Sequence, residues 1–160
     1  MNALLTLLEG LERSALSVGL RGSAWVYPLI NALHIVGIAL LVGAILILDW
    51  RLLRGRATPT VAVLAGVLLP AARMGWVLAV LSGSLLFITR PLDYAFNAVF
   101  QLKLGILALA LLNVALLHRS GSWQVAVMHN RVDGRVCLAC GLSLVSWLLV
   151  LGLGRLVGYR

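Results

Sequence analysis

The residue best placed to do chemistry in this 160-residue chain is His34. It lies about nine residues into a long apolar stretch, which is roughly 14 Å along a helix at 1.5 Å per residue. An ionisable side chain at such a depth in a membrane is costly without a partner and therefore indicates a functional residue. Neutral imidazole is the commonest metal ligand and also ligates haem iron. His34 is predicted to bind a metal or haem iron, and the alternative is an imidazole hydrogen-bonded to a neighbouring helix.

Three further residues are predicted to complete this site. Gly37, one helical turn after His34, would leave a flat space on the same face for a macrocycle. Lys103 is the single lysine of the chain, and it lies within about 6 Å of His34 in depth. We predict that Lys103 binds a carboxylate or ligates iron as a neutral amine, and the alternative is that it snorkels to the headgroups. Arg90 lies at the same edge of the membrane as Lys103, and it is predicted to pair with a propionate group of the haem.

The His34 ring is expected to point into the helix bundle and to face the third apolar stretch. Gly83 and Ser146 lie at a depth comparable to that of His34 on the second and fourth stretches, and they would line the predicted haem pocket. A haem with two histidine ligands from this chain is disfavoured, because His118 lies about 15 Å from His34 along the membrane normal. We interpret His118 as an interfacial residue, and nothing in the spacing requires it to pair with His129.

Two cysteines and an aspartate are further candidates. Cys137 and Cys140 form a C-x-x-C pattern, which fits either a redox pair or the close packing of small residues. Asp49 is expected to pair with Arg51, Arg73 or another arginine at the same end of the bundle. The sequence contains no nucleotide-binding, zinc-protease or serine-hydrolase motif.

The composition indicates the environment of these residues. Hydrophobic residues make up 62% of the chain and charged residues 11%, with a mean hydropathy of +1.05. A soluble domain has about 45–50% apolar and about 25% charged residues. The sequence is therefore typical of an integral membrane protein, and it excludes an ordinary soluble domain, a disordered chain and a nucleic-acid-binding module. The net charge of +8 suits flanking segments that touch anionic lipid headgroups.

Hydropathy predicts an all-α fold with four membrane-spanning helices. The expected spans are residues 25–48, 71–88, 98–117 and 136–154. Pro70 is expected to mark a kink or the start of the second span, with residues 61–69 as a short interfacial piece or a kinked first turn. Residues 1–22 are amphipathic and predict a helix that lies on the membrane. The predicted organisation is an interfacial helix (1–22) followed by a four-helix up-down transmembrane domain (23–160).

Residues 25–55, 68–87 and 100–119 resemble small bacterial four-helix membrane proteins of the DUF6644 type, over nearly the whole chain. The pattern H-x-x-G-x-x-x-x-x-G in the first span, and L-K-L leading to H-R in the third, is also similar to HemJ-type protoporphyrinogen oxidases and CopD-like membrane proteins. HemJ-type proteins hold a b-type haem and depend on one histidine and one lysine. By position, this resemblance implies those roles for His34 and Lys103.

The sequence therefore predicts a membrane protein of the bacterial inner membrane that binds one haem b and serves electron transfer. One alternative is a HemJ-like protoporphyrinogen oxidase, and another is a cofactor-free accessory subunit of a larger membrane complex. The expected partners are the lipid bilayer and a quinone or redox protein, with no nucleic acid. A homo-oligomer is compatible with the same features.

Arginine counts predict the orientation of the chain in the membrane. Seven arginines flank one side and five flank the other, which favours a cytoplasmic 51–60 loop and periplasmic termini. The first group is Arg51, Arg54, Arg56, Arg73, Arg119, Arg131 and Arg135, and the second is Arg13, Arg21, Arg90, Arg155 and Arg160. Reporter fusions after Arg160 and within residues 51–60 should therefore report opposite sides, with the loop cytoplasmic. Reversed reporters would contradict this orientation.

Overall fold

The computed structural model describes residues 2–55 and 58–158, and in these ranges the chain forms eight helices and no strand. The helices are α1 (Asn2–Glu12), α2 (Ala15–Gly22), α3 (Val26–Leu53), α4 (Val61–Thr89), α5 (Pro91–Ala95), α6 (Ala98–Arg119), α7 (Gly121–His129) and α8 (Gly134–Val157). Four of them, α3, α4, α6 and α8, are long and apolar enough to cross a membrane. The predicted all-α, four-span fold is confirmed, and the chain is a multi-pass membrane protein. Arg56 and Arg160, which enter the arginine count, lie outside the described residues.

Polar side chains fix where the spanning helices begin. Asn97 accepts hydrogen bonds from the first backbone N–H groups of α6, and Asp133 accepts one from Val136 at the start of α8. Thr60 caps α4 in the same way. Each cap satisfies an N–H group that has no partner inside its helix. The expected starts of the third and fourth spans are therefore correct to within two residues.

The second span is longer than the expected 71–88. Helix α4 continues from Val61 to Thr89 with Pro70 inside it, so the expected helix start at Pro70 is wrong. Proline removes one backbone donor, but membrane helices tolerate this because neighbouring helices and local adjustments satisfy the freed groups. Residues 61–69 form the first turns of the same helix.

The N-terminal segment consists of two helices where one was expected. Ser14 ends the first and caps the second, since its Oγ donates to the carbonyl of Leu11 and accepts from the N–H of Ser17. Arg21 then reaches back to Glu12, with Nη2 donating to the backbone oxygen at 2.8 Å. This hairpin of α1 and α2 packs mainly on α4 and α5.

The spanning helices pack in the order α4, α3, α8, α6. The most extensive contact joins α3 to α4, the next joins α6 to α8, and α3 packs on α8 between these two pairs. The backbones of α4 and α6 make no close approach to each other. We refer to the end that holds Pro91–Ala95 as the α5 end and to the end that holds Gly121–His129 as the α7 end.

Two apolar clusters fill the bundle between its centre and the α7 end. The central cluster is Leu41, Val42, Ala44, Ala72, Ala110 and Trp147. The cluster at the α7 end is Leu48, Leu52, Val61, Ala65, Trp123, Ala126, Val136 and Cys140. Helix α7 lies between the expected third and fourth spans and contributes Trp123 and Ala126 to the second cluster. Asn130 ends α7 in a left-handed conformation, and its Oδ1 accepts from the N–H of Val61.

Two glycines allow α3 and α4 to cross at close range. A Cβ on Gly37 would lie 2.7 Å from the backbone nitrogen of Ala79, and a Cβ on Gly75 would lie 2.5 Å from that of Leu41. Such distances are too short for any side chain, and the neighbouring atoms belong to backbone that cannot rotate away. Small residues at helix crossings are how membrane helices gain close packing.

The substitution Gly37→Ala should therefore destabilise the protein. Overpacking of a tight site costs about 1–3 kcal/mol, so the apparent melting temperature in detergent should fall. Gly43→Ala on the same helix is the matched control, because a Cβ there meets nothing within 4 Å and alanine is the better helix former. Equal melting temperatures for the two variants would contradict the crossing.

Candidate functional site

The imidazole of His34 lies against α4. Its Nδ1 atom is 3.0 Å from the carbonyl oxygen of Ala79 and 3.1 Å from Oγ of Ser82. A carbonyl oxygen only accepts hydrogen bonds, so Nδ1 carries the hydrogen in this contact. Ser82 donates its own hydroxyl hydrogen to the carbonyl of Leu78, which leaves its oxygen free to accept from the ring.

These contacts define the tautomer of His34. With hydrogen on Nδ1, the neutral ring presents a lone pair at Nε2. Nε2 has no hydrogen-bond partner among the described residues. A donor contact from the second ring nitrogen to a carbonyl is the arrangement that orients ligating histidines in metal sites. The ring is thus held in position with a free electron pair.

A glycine makes room for this ring. A Cβ on Gly83 would lie 2.9 Å from Cε1 of His34, so the imidazole occupies the volume that a side chain would fill. Gly83 therefore lies directly against the His34 ring, and its place in the wall of a haem pocket stays a prediction. Ser146 donates to the carbonyl of Leu142 in its own helix at 2.7 Å.

The side chain of Lys103, on α6, also lies against a glycine of a neighbouring helix. A Cβ on Gly154 of α8 would lie 3.3 Å from the Lys103 ammonium nitrogen. The lysine is half-buried and has no ion pair among the described residues. His34 and Lys103 are close enough to interact electrostatically, but they face α4 and α8 respectively. The expectation that the His34 ring faces the third span, α6, is wrong, because the α3–α4 crossing turns it towards α4.

There is no open space for a ligand in front of Gly37. The backbone of α4 at Gly75 and Ala79 occupies the space in front of it. The prediction that Gly37 leaves room for a macrocycle is wrong for this reason, and its role is to let two helices approach.

An aromatic cluster that the sequence analysis missed lies one turn nearer the α5 end. Phe87, Tyr94 and Phe100 pack with ring centroids 5.4–6.2 Å apart. Phe87 is four residues after Gly83 and Phe100 is three residues before Lys103, so each shares a helix face with its partner. The cluster bridges α4 and α6 where their backbones stay apart. Only the three rings' closeness in sequence, within residues 87–100, could have indicated it.

Arg90 lies between α4 and α5 and is exposed. It is near Tyr94, which is half-buried and packs its ring against Phe87 and Phe100. Burial raises the pKa of Tyr94 above its ordinary range, Tyr27 raises it further, and Arg90 opposes both. Arg90 is therefore a cation at the α5 end, the end at which the sequence predicts it.

The other candidates occupy structural positions. His118 Nδ1 contacts the Val114 carbonyl at 2.9 Å, and the His118 ring packs on Trp123 with centroids 4.6 Å apart. Both cysteines are free thiols, and Cys140 is fully buried in the cluster at the α7 end. No arginine among the described residues forms an ion pair with Asp49, so that expectation is wrong.

Comparisons of the chain with protein-family models, curated proteins and solved structures give no match. The resemblances to DUF6644-type, HemJ-type and CopD-like proteins therefore stay predictions. Among the described residues, no group of three or more His, Cys, Asp or Glu side chains could hold a metal ion. The site contains one oriented imidazole and one nearby cation.

The raised pKa of Tyr94 predicts a measurable pH dependence. The fold favours the neutral phenol, so its stabilising contribution is complete below the unfolded pKa of about 10 and is lost as the pH rises through the folded value. In an absorbance titration, Tyr94 should ionise later than an ordinary tyrosine. Tyr94→Phe should remove this late component and flatten the alkaline fall in melting temperature. A late component that persists in the variant would contradict the assignment.

Proposed function

We propose that this protein binds one haem b through His34 and serves electron transfer in the bacterial inner membrane. The observation that carries the proposal is the state of the His34 ring, whose Nδ1 is tied to Ala79 and Ser82 while Nε2 stays free. A neutral histidine with this orientation is the axial ligand that haem iron takes in many proteins.

The donor set favours a haem over a bare metal ion. A bare ion would require several protein ligands, and the described residues offer no such group. A porphyrin supplies four nitrogen ligands of its own, so one imidazole is sufficient to hold it. Bound haem would supply a one-electron carrier, and the protein would supply orientation and an apolar surrounding.

The cations near His34 suit the carboxylates of such a ligand. Lys103 is half-buried without an acidic partner among the described residues, and a buried unpaired ammonium group is costly. Arg90 lies at the α5 end, where a propionate would meet water. In this proposal His34 would bind the iron, Lys103 would be a second ligand or pair with a propionate, and Arg90 would pair with a propionate at the α5 end.

The orientation and partners belong to the same proposal. Both termini are periplasmic, the 51–60 loop is cytoplasmic, and the electron partner is a quinone or a redox protein. The protein acts as a homo-oligomer or within a larger membrane complex. The relationship to DUF6644-type and HemJ-type proteins is proposed on the residues named above.

The test is the absorbance of the protein purified from haem-replete cells, or titrated with haem in detergent. Wild-type protein should show a Soret band, and His34→Ala should abolish it because the iron loses its axial ligand. His118→Ala should keep most of the band, since His118 packs on Trp123 at the other end of α6. A full haem complement in His34→Ala would contradict the proposal.

A matched pair of serine variants tests the orientation of the ring. Ser82→Ala removes a contact to Nδ1 and should weaken haem affinity by about 10- to 100-fold. Ser84→Ala removes a hydroxyl that donates only to its own helix, at Val80, and should change nothing. A colourless wild-type protein that takes up no added haem would replace this proposal with the cofactor-free accessory subunit.

A further inference from the structure

A second ionisable site lies in α3 far from His34. Asp49 is fifteen residues further along the helix, which is about 22 Å at 1.5 Å per residue. Asp49 is only 7% exposed to solvent, although aspartate is almost never buried without a partner. The site is therefore separate from the proposed haem site.

The immediate surroundings of Asp49 are weakly polar. The side chains of Cys140 and Ser143 on α8 interact with its carboxyl group. The Oδ2 atom is buried and has no hydrogen-bond partner among the described residues. Asp49 thus lies at the contact between α3 and α8, with one oxygen unsatisfied.

No cation compensates this carboxyl group in the part of the chain that the structure describes. Arg51, on the same helix, is buried but directs its Nη2 to the carbonyl of Pro59 at 2.7 Å. Arg73 of α4 is exposed. The residues that α4 and α7 contribute to the adjoining cluster are apolar. On α8 the titratable group that faces Asp49 is the Cys140 thiol, with Cys137 beside it.

An ionised carboxylate without a counter-charge is expensive in an apolar interior. A carboxylic acid is far less costly there, and its O–H group can donate a hydrogen bond that a carboxylate cannot. A thiol and a hydroxyl group can each donate one hydrogen bond to a carboxylate, but two such neutral neighbours do not replace a counter-charge in an apolar interior.

We propose that Asp49 is a proton-binding site, in which the neutral carboxylic acid forms part of the contact between α3 and α8. Binding adds one proton to the carboxylate and releases none. The α3–α8 contact is the principal link between the α3–α4 pair and the α6–α8 pair. Loss of the proton places a negative charge in this link and weakens it.

The test is infrared spectroscopy of the whole protein in detergent. The chain has five carboxyl side chains, Glu9, Glu12, Asp49, Asp93 and Asp133, and among them only Asp49 is buried. At about pH 5, where exposed carboxyl groups are largely ionised, the wild-type protein should show the carbonyl band of one protonated carboxylic acid. A heavy-carbon label in aspartate should shift this band, and raising the pH should remove it.

The variants separate this group from the others. Asp49→Asn should lose the band completely, whereas Asp93→Asn, which alters an exposed carboxyl group, should keep it. The wild-type melting temperature should fall as Asp49 loses its proton at rising pH, and Asp49→Asn should lack that fall. Wild-type spectra with no protonated-aspartate band at about pH 5, where exposed carboxyl groups are largely ionised, would overturn the proposal, whether or not the variant folds.

Discussion

The crossing of α3 and α4 at Gly37 and Gly75 determines where His34 can act. At this crossing the backbones are so close that no Cβ fits at either glycine. Ala79 takes part twice, because its backbone nitrogen faces Gly37 and its carbonyl oxygen accepts from the His34 ring one turn away. A change of a few tenths of an ångström in the crossing would therefore move the acceptor that orients the imidazole. Packing and chemistry depend on the same pair of helix faces.

Three of the ionisable side chains inside the bundle are accommodated by different means. His34 is hydrogen-bonded through one nitrogen, Lys103 lies over a glycine, and Asp49 is enclosed by a thiol and a hydroxyl group. Membrane interiors make each of these groups expensive when charged and unpaired. Their different surroundings imply different roles, since an oriented lone pair suits a metal ion and an enclosed carboxyl group suits a proton.

Hydropathy and length were sufficient to predict the four spans and the all-helical fold, because a membrane requires long apolar helices. The end of the first span was placed too early, since α3 continues through the polar residues Asp49 and Arg51. The expected helix start at Pro70 is wrong for a different reason, because neighbouring helices and local adjustments let a membrane helix continue through a proline. Which helix His34 faces, and what fills the space at Gly37, depends on how two distant segments cross. One sequence contains no direct signal for that.

Helix α3 connects the two candidate sites and also separates them. It is the helix that packs extensively on both α4 and α8, and it presents His34 to the first and Asp49 to the second. The central apolar cluster, which includes Leu41 and Trp147, lies between them and contains no charged residue. In the proposed assignment a ligand at His34 would also reach Lys103 on α6, whereas a proton at Asp49 acts on the contact between α3 and α8. Because the neighbours of the two groups do not overlap, substitutions at one site should leave the other intact, as expected for sites without shared partners.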